Sequence, residues 1–228
     1  MKIAEIYRSI QGEGVLTGAE SIFIRASGCN LRCWFCDTPY ASWNPEGDDY
    51  SVNEIMERVS GWDCRHVVLT GGEPMLFAEL IPLCNRLRAE NYHITIETAG
   101  TLFLPVECDL MSISPKTNNS APDATEHPRW HRRHERSRFA PHVIRQLLDS
   151  YHCQIKFVVD NESDLQEIDE YLRQFPTISS SQIYLMPQGR TPDELYQTEI
   201  WLKPLCQQLD YHFCPRKQIE WFGAAKGT

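Results

Sequence analysis

Apolar and polar positions along this 228-residue chain fall into two alternating rhythms. Short apolar runs read as strands at Ile22–Ile24, Val67–Leu69, Ile94–Ile96, Leu110–Ile113, Ile155–Val159 and Ile183–Met186, with Tyr211–Cys214 closing the series. Between them lie stretches of helical spacing. Val52–Val59 follows Ser51, and Glu54 three residues on completes a capping box. Phe77–Asn91 carries Leu80, Leu83, Cys84 and Leu87 on one helical face, and Glu162–Phe175 and Pro192–Leu209 read as further helices. Strand–helix alternation predicts an α/β fold with a parallel sheet and right-handed crossovers. The polar motifs Thr70-Gly71-Gly72-Glu73, Glu97-Thr98 and Ser114-Pro115-Lys116 each follow a strand, where parallel folds gather ligands. The chain is short for a closed eight-fold barrel of ~250 residues, so an incomplete, open β/α barrel is expected.

The stretch Thr117–Arg138 breaks the rhythm. It holds Arg129, Arg132, Arg133, Arg136 and Arg138 among three histidines. Such a cluster suits either a phosphate-binding patch or a solvated loop and short helix. The net charge of −9 favours the second and argues against a partner bound through nucleic-acid phosphates. We therefore expect one domain over 1–228 with an arginine-rich insertion around 117–140. No apolar run approaches the ~20 residues of a membrane span, and Met1-Lys2-Ile3-Ala4-Glu5 lacks signal-peptide organisation. Nine cysteines, an odd number in a chain of this length, do not read as a disulfide scaffold. A reducing cytoplasm is expected, with Cys64, Cys84, Cys108, Cys153, Cys206 and Cys214 as plain residues.

Cys29, Cys33 and Cys36 stand apart, spaced C-x3-C-x2-C. Thiolates are soft ligands of zinc and of iron–sulfur clusters. A cubane normally takes four cysteines, so three in one loop leave one iron open. A structural zinc site would need a fourth ligand brought from a distance, because the next cysteine is Cys64. A zinc module therefore stays open as a second reading.

The aromatic Phe35 before the third cysteine, and Thr70-Gly71-Gly72-Glu73-Pro74 some thirty residues later, resemble the radical S-adenosylmethionine (SAM) superfamily. Ile10-Gln11-Gly12-Glu13-Gly14, Phe23-Ile24-Arg25, Asp37-Thr38, Glu97–Gly100 and Lys156–Asp160 narrow the likeness to its 7-carboxy-7-deazaguanine synthase family. That resemblance implies an open TIM-like barrel of the radical SAM type. It implies a lyase converting 6-carboxy-5,6,7,8-tetrahydropterin to 7-carboxy-7-deazaguanine with loss of ammonia, in queuosine and 7-deazapurine biosynthesis. A glycyl-radical activase shares the cysteine loop and is the alternative. Cys29, Cys33 and Cys36 would hold a 4Fe-4S cluster, and Phe35, Gly72, Ser114, Pro115 and Lys116 would meet SAM. Ile10, Gln11, Gly12, Arg25, Thr70 and the C-terminal Thr228 would meet substrate, with Mg2+ on Thr38. Flavodoxin or ferredoxin would supply electrons, and a homodimer is implied. Glu73 and Glu97 read equally as ligand contacts or as structural ion-pair members. Where the family often reads Pro-Arg-Leu-His-Ile-Glu, this chain has Pro215-Arg216-Lys217-Gln218-Ile219-Glu220, so Gln218 replaces an expected substrate contact.

Overall fold

A computed structural model describes residues 1–223 and 225–228; Ala224, in the C-terminal tail, lies outside them. The strands are β1 (Lys2–Ile10), β2 (Glu20–Ala26), β3 (Asp48–Asp49), β4 (His66–Gly71), β5 (His93–Thr98), β6 (Leu110–Ile113), β7 (Cys153–Val159), β8 (Ile183–Pro187) and β9 (His212–Phe213). The helices are α1 (Val52–Ser60), α2 (Leu80–Ala89), α3 (Pro128–Ser137), α4 (Pro141–Ser150), α5 (Asp164–Leu172), α6 (Pro192–Leu209) and α7 (Lys217–Phe222). One sheet runs in the order β3-β1-β2-β4-β5-β6-β7-β8-β9 and does not close on itself. From β2 onward every pairing is parallel and follows chain order, as the sequence pattern predicts.

Helices end where local chemistry dictates. The Ser51 hydroxyl accepts from the Glu54 amide at 3.3 Å and Glu54 accepts from the Ser51 amide at 2.8 Å, the expected capping box of α1. Thr191 caps α6 in the same manner, and Pro192 occupies the first turn, where no N–H is needed. Inward faces of the strands and helices meet in one core that includes the fully buried Phe157, Leu69, Leu83 and Ile155. Each such side chain contributes about 2 kcal/mol on leaving water.

Several elements depart from the sequence reading. Lys2–Ile10 is a strand, and it pairs antiparallel with β2, so the sheet is mixed at that edge. Most of its residues, on both faces, are half-buried, with only Ile3 fully buried, so no clean alternation marks it. α4 was not anticipated. Its apolar face, Val143, Ile144 and Leu147, spans only three residues of a helix that follows directly on the arginine-rich stretch. α2 begins at Leu80, because Pro74–Leu76 forms a separate 3-10 turn. α5 is shorter than Glu162–Phe175, and only His212–Phe213 of the last apolar run pairs as a strand. Among the described residues no helix is long and apolar enough to cross a membrane. None of the nine cysteines is in a disulfide.

Candidate active site

A cavity of about 230 Å³ opens at the C-terminal ends of the parallel strands. The parallel strands β2 and β4 to β8 all contribute to its lining, among others Arg25 from β2, Thr70 from β4, Glu97 from β5, Ser112 from β6, Lys156 from β7 and Met186 from β8. The 2.0-residue period of a strand allows this without disturbing the core on the opposite face.

One wall is the cysteine loop. Cys29, Cys33, Phe35, Cys36 and Thr38 all line the cavity. Burial pushes the Cys29 and Cys33 thiols up to about 12, and each neighbouring thiol adds to the rise. Two thiols this reluctant to ionise need a bound cation to deprotonate them. Among the described residues no three His, Cys, Asp or Glu side chains converge to hold a single metal ion. A cubane, which takes one thiolate per iron, fits the donor set. The loop is held from outside by the Trp43 indole, which donates to the Cys33 carbonyl at 2.9 Å, and from within by the Arg32 guanidinium, which donates to the Cys29 carbonyl at 2.8 Å.

The Gly71-Gly72-Glu73 turn stitches this loop to the sheet. The Gly72 amide donates to the Ala26 carbonyl at 3.0 Å and the Glu73 amide to the Gly28 carbonyl at 2.8 Å. A Cβ on Gly72 would lie 2.1 Å from the Gly28 carbonyl oxygen and 2.5 Å from that of Ala41. Gly72 lines the cavity, and it is also the only residue type that this backbone approach admits. Glu73 is fully buried and lies outside the cavity lining. Its carboxylate accepts from the Met75 amide (3.0 Å), the Ala99 amide (2.9 Å) and the Thr98 hydroxyl (2.9 Å). It acts as a strand-end staple and makes no ion pair among the described residues.

The facing wall carries Ile10, Gln11, Gly12, Arg25, Thr70 and Thr228, all in the lining. Glu97 organises it, accepting from the Thr70 hydroxyl at 2.8 Å, the Gln11 amide at 3.3 Å and Lys156 at 3.4 Å. Arg25 is fixed on one side by Glu5 (2.6 Å) and the Tyr7 hydroxyl (2.8 Å). Ser114 and Lys116 also line the cavity, with the Lys116 ammonium turned back on the Ser114 carbonyl at 2.9 Å. Pro115 is buried and does not reach the cavity.

Three charged residues absent from the sequence-based site complete it. Glu13, Lys156 and Arg216 are nearly withdrawn from solvent and form one network. Lys156 meets Glu13 at 2.9 Å, and Arg216 meets Glu13 at 3.4 Å and also pairs with Asp37 beside the third cysteine. Burial would raise the Glu13 carboxyl, but Lys156 and Arg216 outweigh it and hold Glu13 at about 2. The same pairing raises Lys156 against the opposing effect of burial. A lysine inside the apolar strand Cys-Gln-Ile-Lys-Phe-Val-Val was a readable signal, since a buried lysine needs a partner. Arg216 had none in sequence. Gln218 lines the cavity and donates to Glu13 at 2.6 Å, while its Oε1 is buried without a partner. The C-terminal segment lies so close over Gly12 that a Cβ there would meet the Gln218 amide nitrogen at 2.5 Å.

An open parallel barrel whose strand ends face a three-cysteine loop defines the radical SAM class. The Radical SAM superfamily model matches residues 23–172. At 48% identity over 99% of this chain and 88% of its own length, a relative from Rhodopirellula baltica is a 7-carboxy-7-deazaguanine synthase. A Halobacterium salinarum protein of the same name is 39% identical over all of this chain and 93% of its own. The chain belongs to the 7-carboxy-7-deazaguanine synthase family of radical SAM enzymes. The structure of QueE from Escherichia coli shares the fold at a TM-score of 0.70, with 24% identity over 94% of this chain and 92% of that one. The zinc-module reading is thereby set aside, and the relatives favour the synthase over the glycyl-radical activase.

Proposed function

We propose that this protein converts 6-carboxy-5,6,7,8-tetrahydropterin into 7-carboxy-7-deazaguanine with loss of ammonia, on the route to queuosine and related 7-deazapurines. The observation that carries this reading is the cavity lining, which brings three half-buried thiols together with Arg25, Gln11, Thr70 and Glu97. Cys29, Cys33 and Cys36 hold the 4Fe-4S cluster, with SAM against Phe35, Gly72, Ser114 and Lys116. Pro115 contributes by shaping the loop from behind. When bound, cluster and SAM supply a radical able to take hydrogen from an unactivated carbon; such chemistry belongs to the cofactor, and the protein supplies position.

The chain's own residues place the substrate. Arg25, clamped by Glu5 and Tyr7, offers its remaining guanidinium edge to the substrate carboxylate. The Thr38 hydroxyl makes only a 3.8 Å contact with the Cys36 sulfur, leaving it free to take Mg2+. Magnesium keeps most of its waters and needs few protein oxygens. Ile10, Gln11, Gly12 and Thr70 line the ring, and the Glu97 carboxylate and the unpaired Gln218 Oε1 suit the N–H groups of a pterin edge. Thr228 closes the outer rim. The reading brings with it a low-potential flavodoxin or ferredoxin as electron source and a homodimer working in the cytoplasm.

The test is anaerobic incubation of the cluster-loaded protein with the carboxypterin, SAM, Mg2+ and dithionite, with product followed by mass spectrometry. The deazaguanine should accumulate. Arg25→Ala should lower product formation by about 100-fold, as expected when a bidentate charged contact is lost, while SAM is still cleaved. An intact cluster that yields no deazaguanine overturns the assignment.

A further inference from the structure

Arg129, Arg132, Arg133 and Arg136 recur at i, i+3, i+4 and i+7 of α3 and therefore form one stripe. All four are exposed, and none makes an ion pair among the described residues. Of the nearby acids, Glu135 pairs with Arg138 at 2.9 Å and Asp123 accepts from the Thr125 and Glu126 amides, while Glu126 is exposed and makes no ion pair with the stripe among the described residues. Four like charges on one helix face repel one another, and an anionic partner would relieve this beyond what screening by salt does. In a chain of net charge −9 the stripe is a local exception.

Its position gives it meaning. The opposite face of α3 grips the back of the cysteine loop. The Arg32 amide, between Cys29 and Cys33, donates to His134 Nδ1 at 3.2 Å. The Arg32 guanidinium lies 4.0 Å from the centre of the Trp130 ring, whose neighbour Arg133 belongs to the stripe and lies 5.1 Å from the same ring. Trp34, between Cys33 and Cys36, donates its indole N–H to the Asn119 carbonyl at 2.6 Å and its backbone amide to the Ser120 carbonyl at 3.2 Å, just ahead of α3. Trp34 is nevertheless 48% exposed. The stripe and an exposed aromatic thus lie beside the thiol loop without lining the cavity. Arginine and tryptophan are the residue types that anchor protein interfaces.

We propose that the α3 arginine stripe, with Trp34, is the docking surface for an acidic one-electron carrier protein. The inference rests on the reading that Cys29, Cys33 and Cys36 carry a cluster that must be reduced. In the step served, one electron leaves the reduced carrier and enters the cluster; no bond forms or breaks, and no proton moves. Docking here brings the two centres close without blocking substrate entry. Charge complementarity gives it speed and register, and makes it salt-sensitive.

The test uses the cluster-loaded full chain, kept anaerobic, with a bacterial flavodoxin and a plant-type ferredoxin titrated separately by calorimetry at low and physiological salt. At least one carrier should bind. The Arg129→Gln, Arg132→Gln, Arg133→Gln, Arg136→Gln variant should bind it about tenfold more weakly at low salt, with a flattened salt response. A control carrying Arg86→Gln, Arg173→Gln and Lys203→Gln should keep the parent affinity. Product formation driven by dithionite should be equal in all three proteins. The proposal is overturned if neither carrier binds, if the quadruple variant binds as the parent does, or if a single-stranded RNA of about twenty nucleotides binds the stripe more tightly than either carrier. Binding is read without turnover. A failure of the dithionite reaction in the parent would count against the assigned chemistry and leave the docking result standing.

Discussion

At position 72 two backbone oxygens, not a ligand alone, forbid any side chain. The oxygens belong to Gly28 and Ala41, which bracket the cysteine loop, so neither can move like the end of a flexible side chain. Gly72→Ala should therefore push the loop off the sheet. The expected cost is about 2–3 kcal/mol of stability, from overpacking against rigid backbone. Iron bound per chain after reconstitution should fall with it. Equal iron content and an equal unfolding midpoint would show that the close approach is not rigid. Part of this residue's role was legible: a glycine after a strand signals backbone near a ligand. What sequence could not reveal is that the nearer constraint is the chain itself. Glu73 carries the same lesson, since its three donors come from Met75, Thr98 and Ala99, two of them reached only because β4 and β5 pair in register.

α3 shows what element-level reading captures and what it misses. Its exposed stripe follows from arginine spacing alone, and a surface helix was the expectation. Its inner face was not readable, because one histidine in a polar stretch gives no apolar period to detect. His134 is fully buried. The Arg32 amide can only donate, so Nδ1 is bare and the ring proton sits on Nε2 against the Ser120 hydroxyl at 2.9 Å. Ser120 in turn donates to the Thr117 carbonyl at 2.6 Å. A second proton would face an N–H, and burial holds the ring down at about 4, against an ordinary value near 6.5. The unfolded chain thus binds this proton first as pH falls. Stability contributed by neutral His134 is fully present above about 6.5 and drains away towards about 4. Urea unfolding of the reduced, cluster-free chain should show this loss across that window. His134→Gln, which keeps an acceptor without titrating, should flatten the slope; an unchanged pH profile in that variant would remove His134 from the account.

For the whole molecule, strand order follows chain order from β2 onward, so β2 and β9 lie at opposite ends of the parallel part of an unclosed sheet. Strand–helix alternation made that order legible, and with it the line of polar residues at the strand ends. The closure of the cavity was not legible, because it depends on ion pairs between residues roughly 140 to 200 positions apart, and no periodicity records those. Lys156 on β7, Glu13 after β1 and Arg216 ahead of α7 join β7 to segments near the chain's two ends at the cavity. Breaking a buried pair from one side leaves an uncompensated charge and costs about 3–5 kcal/mol, more than the net worth of the intact pair. Lys156→Met should therefore destabilise by that amount, since Glu13 and Glu97 both lose their ammonium. Adding Glu13→Gln should recover about half of the loss, by removing the charge that was left behind. Gln218 would keep a hydrogen-bond acceptor in the double variant. Strictly additive losses, with the double variant worse than Lys156→Met alone, would mean that the network acts through packing rather than charge. The C-terminal segment would then be held over the cavity by packing together with the Arg216 bond to the Gly189 carbonyl and the Lys217 amide bond to the Gly12 carbonyl.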